Sequence, residues 1–237
     1  MFINILTNPS YSPREKLLMI TAGICAIAIA IMLHEVAHGF IAMKQGDYTA
    51  KYSGRLTLNP VVHFDPIGML MFLIVGIGWA RPVPVDIRNF KNRKRGVFLV
   101  SIAGVVVNFL LAAVGFLLLV LLSDFIGQGL ILGNVFAIFG YHFLIFTITI
   151  NLSLMAFNLL PIYPLDGFRI VENFTKYDNK YVNFMRRNGQ SIFMVLVVLG
   201  IFADNFGLPW LDLLGSYINW VYDAVLDLFV KVGGLLK

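Results

Sequence analysis

Residues 17–33, LLMITAGICAIAIAIML, carry no charge and run straight into His34-Glu35-Val36-Ala37-His38. Ser12-Pro13-Arg14-Glu15 precede them, a capping box with proline at the first helical position. A cleavable leader would end at a small-residue site, and Ala28 and Ala30 offer one. Cleavage there would cut through the helix that carries the polar motif. The stretch therefore reads as a retained transmembrane helix over about 14–43, long enough to cross about 30 Å of hydrocarbon.

The rest of the chain agrees. Of 237 residues, 59% are hydrophobic and 13% charged, where soluble chains carry about 25% charge. Mean hydropathy is +0.82. Two further spans lie at 98–122 and 134–160, and a shorter fourth at 190–205. The nine-residue apolar run 69–77 is too short to cross as a helix. Bracketed by Asp65-Pro66, Gly68, Gly78 and Pro82, it reads as a strand, hairpin or re-entrant segment buried in protein. Over 210–232, Leu214, Tyr217, Ile218, Val221, Val225 and Leu228 recur at helical spacing, with Asp223, Asp227 and Lys231 on another face. That is an amphipathic helix at the interface or against the bundle. The fold expected is an all-α polytopic membrane protein, one domain over 1–237, with a membrane-associated loop at 44–97.

Lysine and arginine orient it. The 44–97 connection holds nine and the 166–188 connection five, while 123–133 has none. The positive-inside rule places both basic loops in the cytoplasm and the N-terminus outside. The net charge of +5 thus reports topology, and the block Lys91–Arg95 reads as a topology or headgroup determinant rather than a nucleic-acid site. The single cysteine, Cys25, excludes an internal disulfide and reads as inert packing.

His34-Glu35-Val36-Ala37-His38 is an H-E-x-x-H pattern. On a helix, His34 and His38 share a face and can hold one Zn2+, with Glu35 placed to take a proton from the attacking water. A closed structural zinc site would supply four protein ligands. Two histidines with an acid beside them, set in an apolar helix, point to catalysis instead. A zinc hydrolase needs a third protein ligand, and the candidate is Asp166, in Pro161-Ile162-Tyr163-Pro164-Leu165-Asp166-Gly167 after the third span. The prolines break the helix there, and the charge-derived topology sets Asp166 at the depth of both histidines. His63 and His142 read as structural, and Asp212, Asp223 and Asp227 as a solvated face.

These motifs resemble the site-2 protease family of intramembrane zinc metalloproteases, in its short bacterial form. The likeness covers residues 17–170. It adds Gly104-x-x-x-Asn108 in the second span, Asn158…Pro161…Pro164-Leu165-Asp166-Gly167, and Leu58-Asn59-Pro60…His63…Asp65-Pro66. It implies a three-helix catalytic core with Zn2+ on His34, His38 and Asp166 and Glu35 as base. The implied substrates are transmembrane segments of other proteins, with a prokaryotic plasma membrane as address and regulated intramembrane proteolysis as the setting. No PDZ insertion or cystathionine-synthase-type domain is expected, so gating falls to 44–97 and the terminal helices. A helical substrate must unwind, and 69–77 or Leu56–Leu58 is an edge for it to pair with. Asn158 is the candidate oxyanion donor, or else positions Pro161–Asp166. Asn108 is a candidate substrate contact, or else a helix–helix hydrogen bond beside Gly104. The partners expected are the substrate segment and the bilayer, with no nucleic acid; oligomeric state is left open. The rival reading is a catalytically silent membrane scaffold or metal-binding transport protein of the same fold, for which Glu35 has no use.

Overall fold

The computed structural model describes residues 2–68, 71, 78, 80–176 and 178–234. The α-helices whose bounds lie among them are α1 Phe2–Thr7, α2 Pro13–Lys44, α3 Thr49–Tyr52, α4 Arg93–Leu121, α5 Ser123–Ile131, α6 Val135–Leu159, α7 Asp166–Phe174, α8 Lys180–Phe206 and α9 Leu213–Gly233. No strand occurs among the described residues, and the chain is an all-α polytopic membrane protein.

Capping side chains start the long helices where the sequence changes character. Ser12 accepts the Glu15 N–H, and Glu15 accepts the Ser12 N–H at 2.8 Å, closing the box before α2. Asn92, Asn134 and Asn179 cap α4, α6 and α8 by accepting first-turn N–H groups, without the reciprocal bond. From Pro13 to His34 the helix rises about 32 Å, so the histidines lie at the far end of the crossing.

The buried stripe of α2 is Ala22, Ala26, Ala30, His34 and His38, each four residues from the last. Small side chains let α6 approach, where Phe146 and Ile150 pack on Ala22, Ala26, Ile27 and Ala30. On the other side, Val105 and Ala112 of α4 meet Ile148, Leu152 and Met155 of α6, with Phe229 of α9 closing the cluster. α2, α4 and α6 thus pack pairwise as a three-helix core, and α9 lies against α4 and α6.

Two expectations shift in detail, and a third falls outside the described residues. The short span at 190–205 is the second half of α8, which begins ten residues earlier with Lys180, Arg186 and Arg187. The C-terminal helix does present one face, through Val221, Tyr222, Val225 and Phe229. It is also long and apolar enough to cross, joining α2, α4 and α6 in that property. The apolar run 69–77 lies almost wholly outside the described residues, but its flanks meet. Phe64 and Ala80 form an antiparallel bridge, and the Arg81 N–H donates to the His63 carbonyl at 2.9 Å. The chain therefore leaves and returns at one place.

The loop after α2 is anchored by Asp47, which is fully buried. Its carboxylate accepts from the Thr49 N–H, the Asp86 N–H at 2.8 Å and the Asn89 amide at 2.9 Å. That pins the 80–86 stretch across the end of α2, over the histidines.

Candidate metal centre

His34 and His38 project from the last turns of α2, and Asp166 is the first residue of α7. The segment between α6 and α7, 160–165, is non-helical as its prolines require. Asp166, expected on an extended stretch, instead opens a nine-residue helix. Gly167 follows because of space: a Cβ there would sit 2.3 Å from the Leu159 carbonyl oxygen. Only glycine lets α7 fold back so closely on the end of α6.

The three side chains converge. His34 Nε2 and His38 Nε2 are 3.0 Å apart, and Asp166 Oδ2 lies 3.4 Å and 3.1 Å from them. Tetrahedral zinc with bonds of about 2.0–2.1 Å separates its ligand atoms by about 3.3 Å. The donor set therefore fits a zinc-sized ion, and it is buried.

The protons argue the same way. His38 Nδ1 is 2.7 Å from the Val100 carbonyl oxygen, which can only accept, so Nδ1 carries the proton. For His34 the argument runs through two asparagines. The Thr147 carbonyl accepts from Asn151 Nδ2 at 2.8 Å, so Asn151 turns Oδ1 toward Asn108. Asn108 Nδ2 donates to it at 2.7 Å, leaving Asn108 Oδ1 facing His34 Nδ1 at 2.6 Å. A backbone carbonyl on α6 thus fixes the tautomer of a histidine on α2. Both Nε2 atoms are left with bare lone pairs aimed at each other and at a carboxylate oxygen that has no hydrogen-bond donor. A bound metal ion would satisfy all three atoms at once.

Beside the cluster lies a cleft of about 270 Å³, walled by Glu35, Val83, Phe157, Asn158, Leu165 and Arg169 among others. Glu35 Oε2 accepts the Val83 N–H at 2.8 Å. Asn158 reaches the cleft from α6, with one amide hydrogen given to the Leu154 carbonyl at 3.0 Å. Asn108 does not reach it. The side chain is fully buried behind His34 with both ends of its amide engaged, as a helix–helix hydrogen bond and not a substrate contact. Leu56–Leu58 is likewise absent from the cleft wall; among the described residues, non-helical backbone reaches it from Ala80–Val85, Gly78 and Pro164-Leu165. His63 is fully buried in its loop, donating from Nε2 to the Thr57 carbonyl at 2.9 Å. His142 packs between the rings of Tyr141 and Phe146.

Asn151 is the residue that sequence reading passed over. Its signal was its position seven residues, about two helical turns, before Asn158 in an apolar helix. Asn151→Leu strands the Asn108 amide and frees it to rotate. Zinc affinity in chelator competition is expected to fall about tenfold, as for lost metal-ligand partners generally. An unchanged affinity would show that the relay does not orient His34.

A family model described as "Peptidase family M50" matches residues 122–201. "Putative zinc metalloprotease YwhC" of Bacillus subtilis is 41% identical over 215 residues, 88% of this chain and 91% of that protein. "Putative zinc metalloprotease Rip2" of Mycobacterium tuberculosis is 32% identical over 161 residues, covering 64% of this chain and 58% of its own. "Zinc metalloprotease MJ0392" of Methanocaldococcus jannaschii is 24% identical over 180 residues, 75% of this chain and 42% of that protein. No solved structure matches the chain.

Proposed function

Because the chain belongs to peptidase family M50, we propose that it is a zinc endopeptidase that cuts peptide bonds within or beside transmembrane segments of other membrane proteins. The observation that carries this reading is the convergence of His34 Nε2, His38 Nε2 and Asp166 Oδ2 at one wall of a cleft that also holds Glu35.

Bound zinc supplies Lewis acidity, making water a nucleophile near neutral pH and polarising a carbonyl. His34, His38 and Asp166 would hold the ion, with Glu35 on the wall of the same cleft. Glu35 takes the proton of the attacking water and returns it to the leaving amine. The Val83 N–H holds one carboxylate oxygen, which orients Glu35 and leaves Oε1 for that work. Asn158 has a second amide hydrogen to offer the developing oxyanion. A substrate helix must open before its carbonyl can be reached, and Ala80–Val85 is the backbone against which the opened segment would lie.

The basic connections put the cleft on the cytoplasmic side and the N-terminus outside, with a prokaryotic plasma membrane as the proposed address. The test is metal removal. Purified protein is expected to carry one zinc per chain and to cleave a reconstituted transmembrane reporter. A chelator should abolish both, and added zinc should restore both. Zinc without cleavage across a broad reporter panel would favour the silent scaffold; no zinc even after reconstitution would remove the basis of the site.

A further inference from the structure

Next to the metal cleft, and sharing Val85 and Arg169 with it, is a second and larger cavity of about 580 Å³. Its floor is apolar, with Val100 and Val182 buried. Its walls are charged: Arg93 opens α4, Arg169 and Glu172 stand on α7, Lys176 follows α7, and Arg186 lies on α8. Glu172 is matched, since Arg186 Nε donates to its carboxylate at 2.6 Å. Arg93, Arg169 and Lys176 are exposed, and none of their side chains makes a hydrogen bond or ion pair among the described residues. Three unmatched cations around one concave space form an anion-attracting surface that the mechanism does not use.

We propose that this cavity receives an acidic stretch of the substrate next to its transmembrane segment, on the active-site side. The inference rests on the protease reading and narrows its substrate class to membrane proteins with carboxylates flanking the cut. Geometry favours a peptide. Arg169 stands one helical turn from Asp166, and α7 is about 13 Å long, so a chain leaving the metal cleft reaches the far wall in about four extended residues. The shared wall gives that chain a continuous path. A lipid headgroup would be drawn by the same cations but has no need of a path to the metal cleft.

The experiment uses full-length, zinc-loaded protein in neutral detergent and three reporters with one transmembrane segment. They differ only in glutamates, glutamines or lysines on the active-site flank. The expected kcat/KM ratio of the glutamate to the glutamine reporter is about tenfold, the sum of a few partly exposed charge pairs. It should shrink as salt rises. In Arg93→Gln/Lys176→Gln the ratio falls toward one, and in Lys176→Glu the lysine reporter gains over the glutamate one. A merely structural role would not produce that exchange. A wild-type ratio near one, with all reporters cut, overturns the inference.

If wild type cuts none, the protease reading is what fails, and binding decides the cavity separately. Fluorescence anisotropy with Glu35→Gln protein should show the glutamate flank peptide binding about tenfold tighter than its glutamine counterpart. Arg93→Gln/Lys176→Gln should erase that difference. Equal binding of the two peptides overturns the inference. So does a variant effect seen only with vesicles of anionic phospholipid, which would make the cavity a headgroup site.

Discussion

Glu35→Gln protein is expected to keep one zinc per chain with wild-type affinity while cleaving a transmembrane reporter about 10²–10⁴-fold more slowly. Glutamine has the shape of glutamate, so its side-chain oxygen can still accept the Val83 N–H that holds the native carboxylate. His34 and His38 hydrogen-bond to Asn108 and Val100 rather than to Glu35, so the ligands should stay in place. What glutamine lacks is a site that takes a proton from water and gives it to an amine. The loss should therefore fall on kcat with little change in KM. Zinc content by elemental analysis and single-turnover cleavage check the two halves. Cleavage within a few-fold of wild type would remove Glu35 from the proposed mechanism.

Gly104→Ala should abolish zinc binding at concentrations that saturate the wild type, with affinity lowered by about 100-fold or more. A Cβ at this position would lie 2.4 Å from His34 Cε1 and 2.6 Å from both ring nitrogens. The ring has little freedom to yield, because Asn108 holds Nδ1 at 2.6 Å and Nε2 belongs to the ligand cluster. The substitution thus acts on a ligand by filling the bed it lies in, with no change to any donor atom. Gly115→Ala on the same helix is the control. Its Cβ would meet only side-chain atoms of Thr147 and Ile148, at 3.3 Å and beyond, so zinc should remain. Equal chelator competition by Gly104→Ala and wild type would refute the packing argument.

His34, His38, Glu35 and Asp166 were legible in the sequence because they are expensive groups in or beside apolar helices, and such placement demands a partner. The capping box at Ser12 and Glu15 was legible because it is local. The orientation of the asparagines was not. Asn108 and Asn151 are 43 residues apart, and which way each amide turns depends on one carbonyl, Thr147, that no side-chain pattern marks. Gly104 was visible as half of a small-residue motif, yet its service to the His34 ring depends on how closely α4 lies against α2. The alanine stripe that leads to the histidines was hidden because α2 is apolar all round. Its buried face is set by side-chain size, which hydropathy does not register. The fourth-span expectation began only at 190, where the apolar character sets in, while α8 starts ten residues earlier among Lys180, Arg186 and Arg187.

The relay from Thr147 to His34 also bears on the order in which the molecule matures. One ligand pair is made with the first long helix, its support comes with the second, the carbonyl that sets that support comes with the third, and Asp166 follows only after that helix ends. Transmembrane helices insert singly and associate afterwards. A nascent chain that has delivered α2 alone therefore carries two histidines with unfixed tautomers and no carboxylate beside them. The three-residue donor set is complete only when at least 166 residues are made and three helices have met. On the proposed mechanism the complete donor set thus arrives only with assembly, and zinc occupancy at full affinity is expected to report on that assembly.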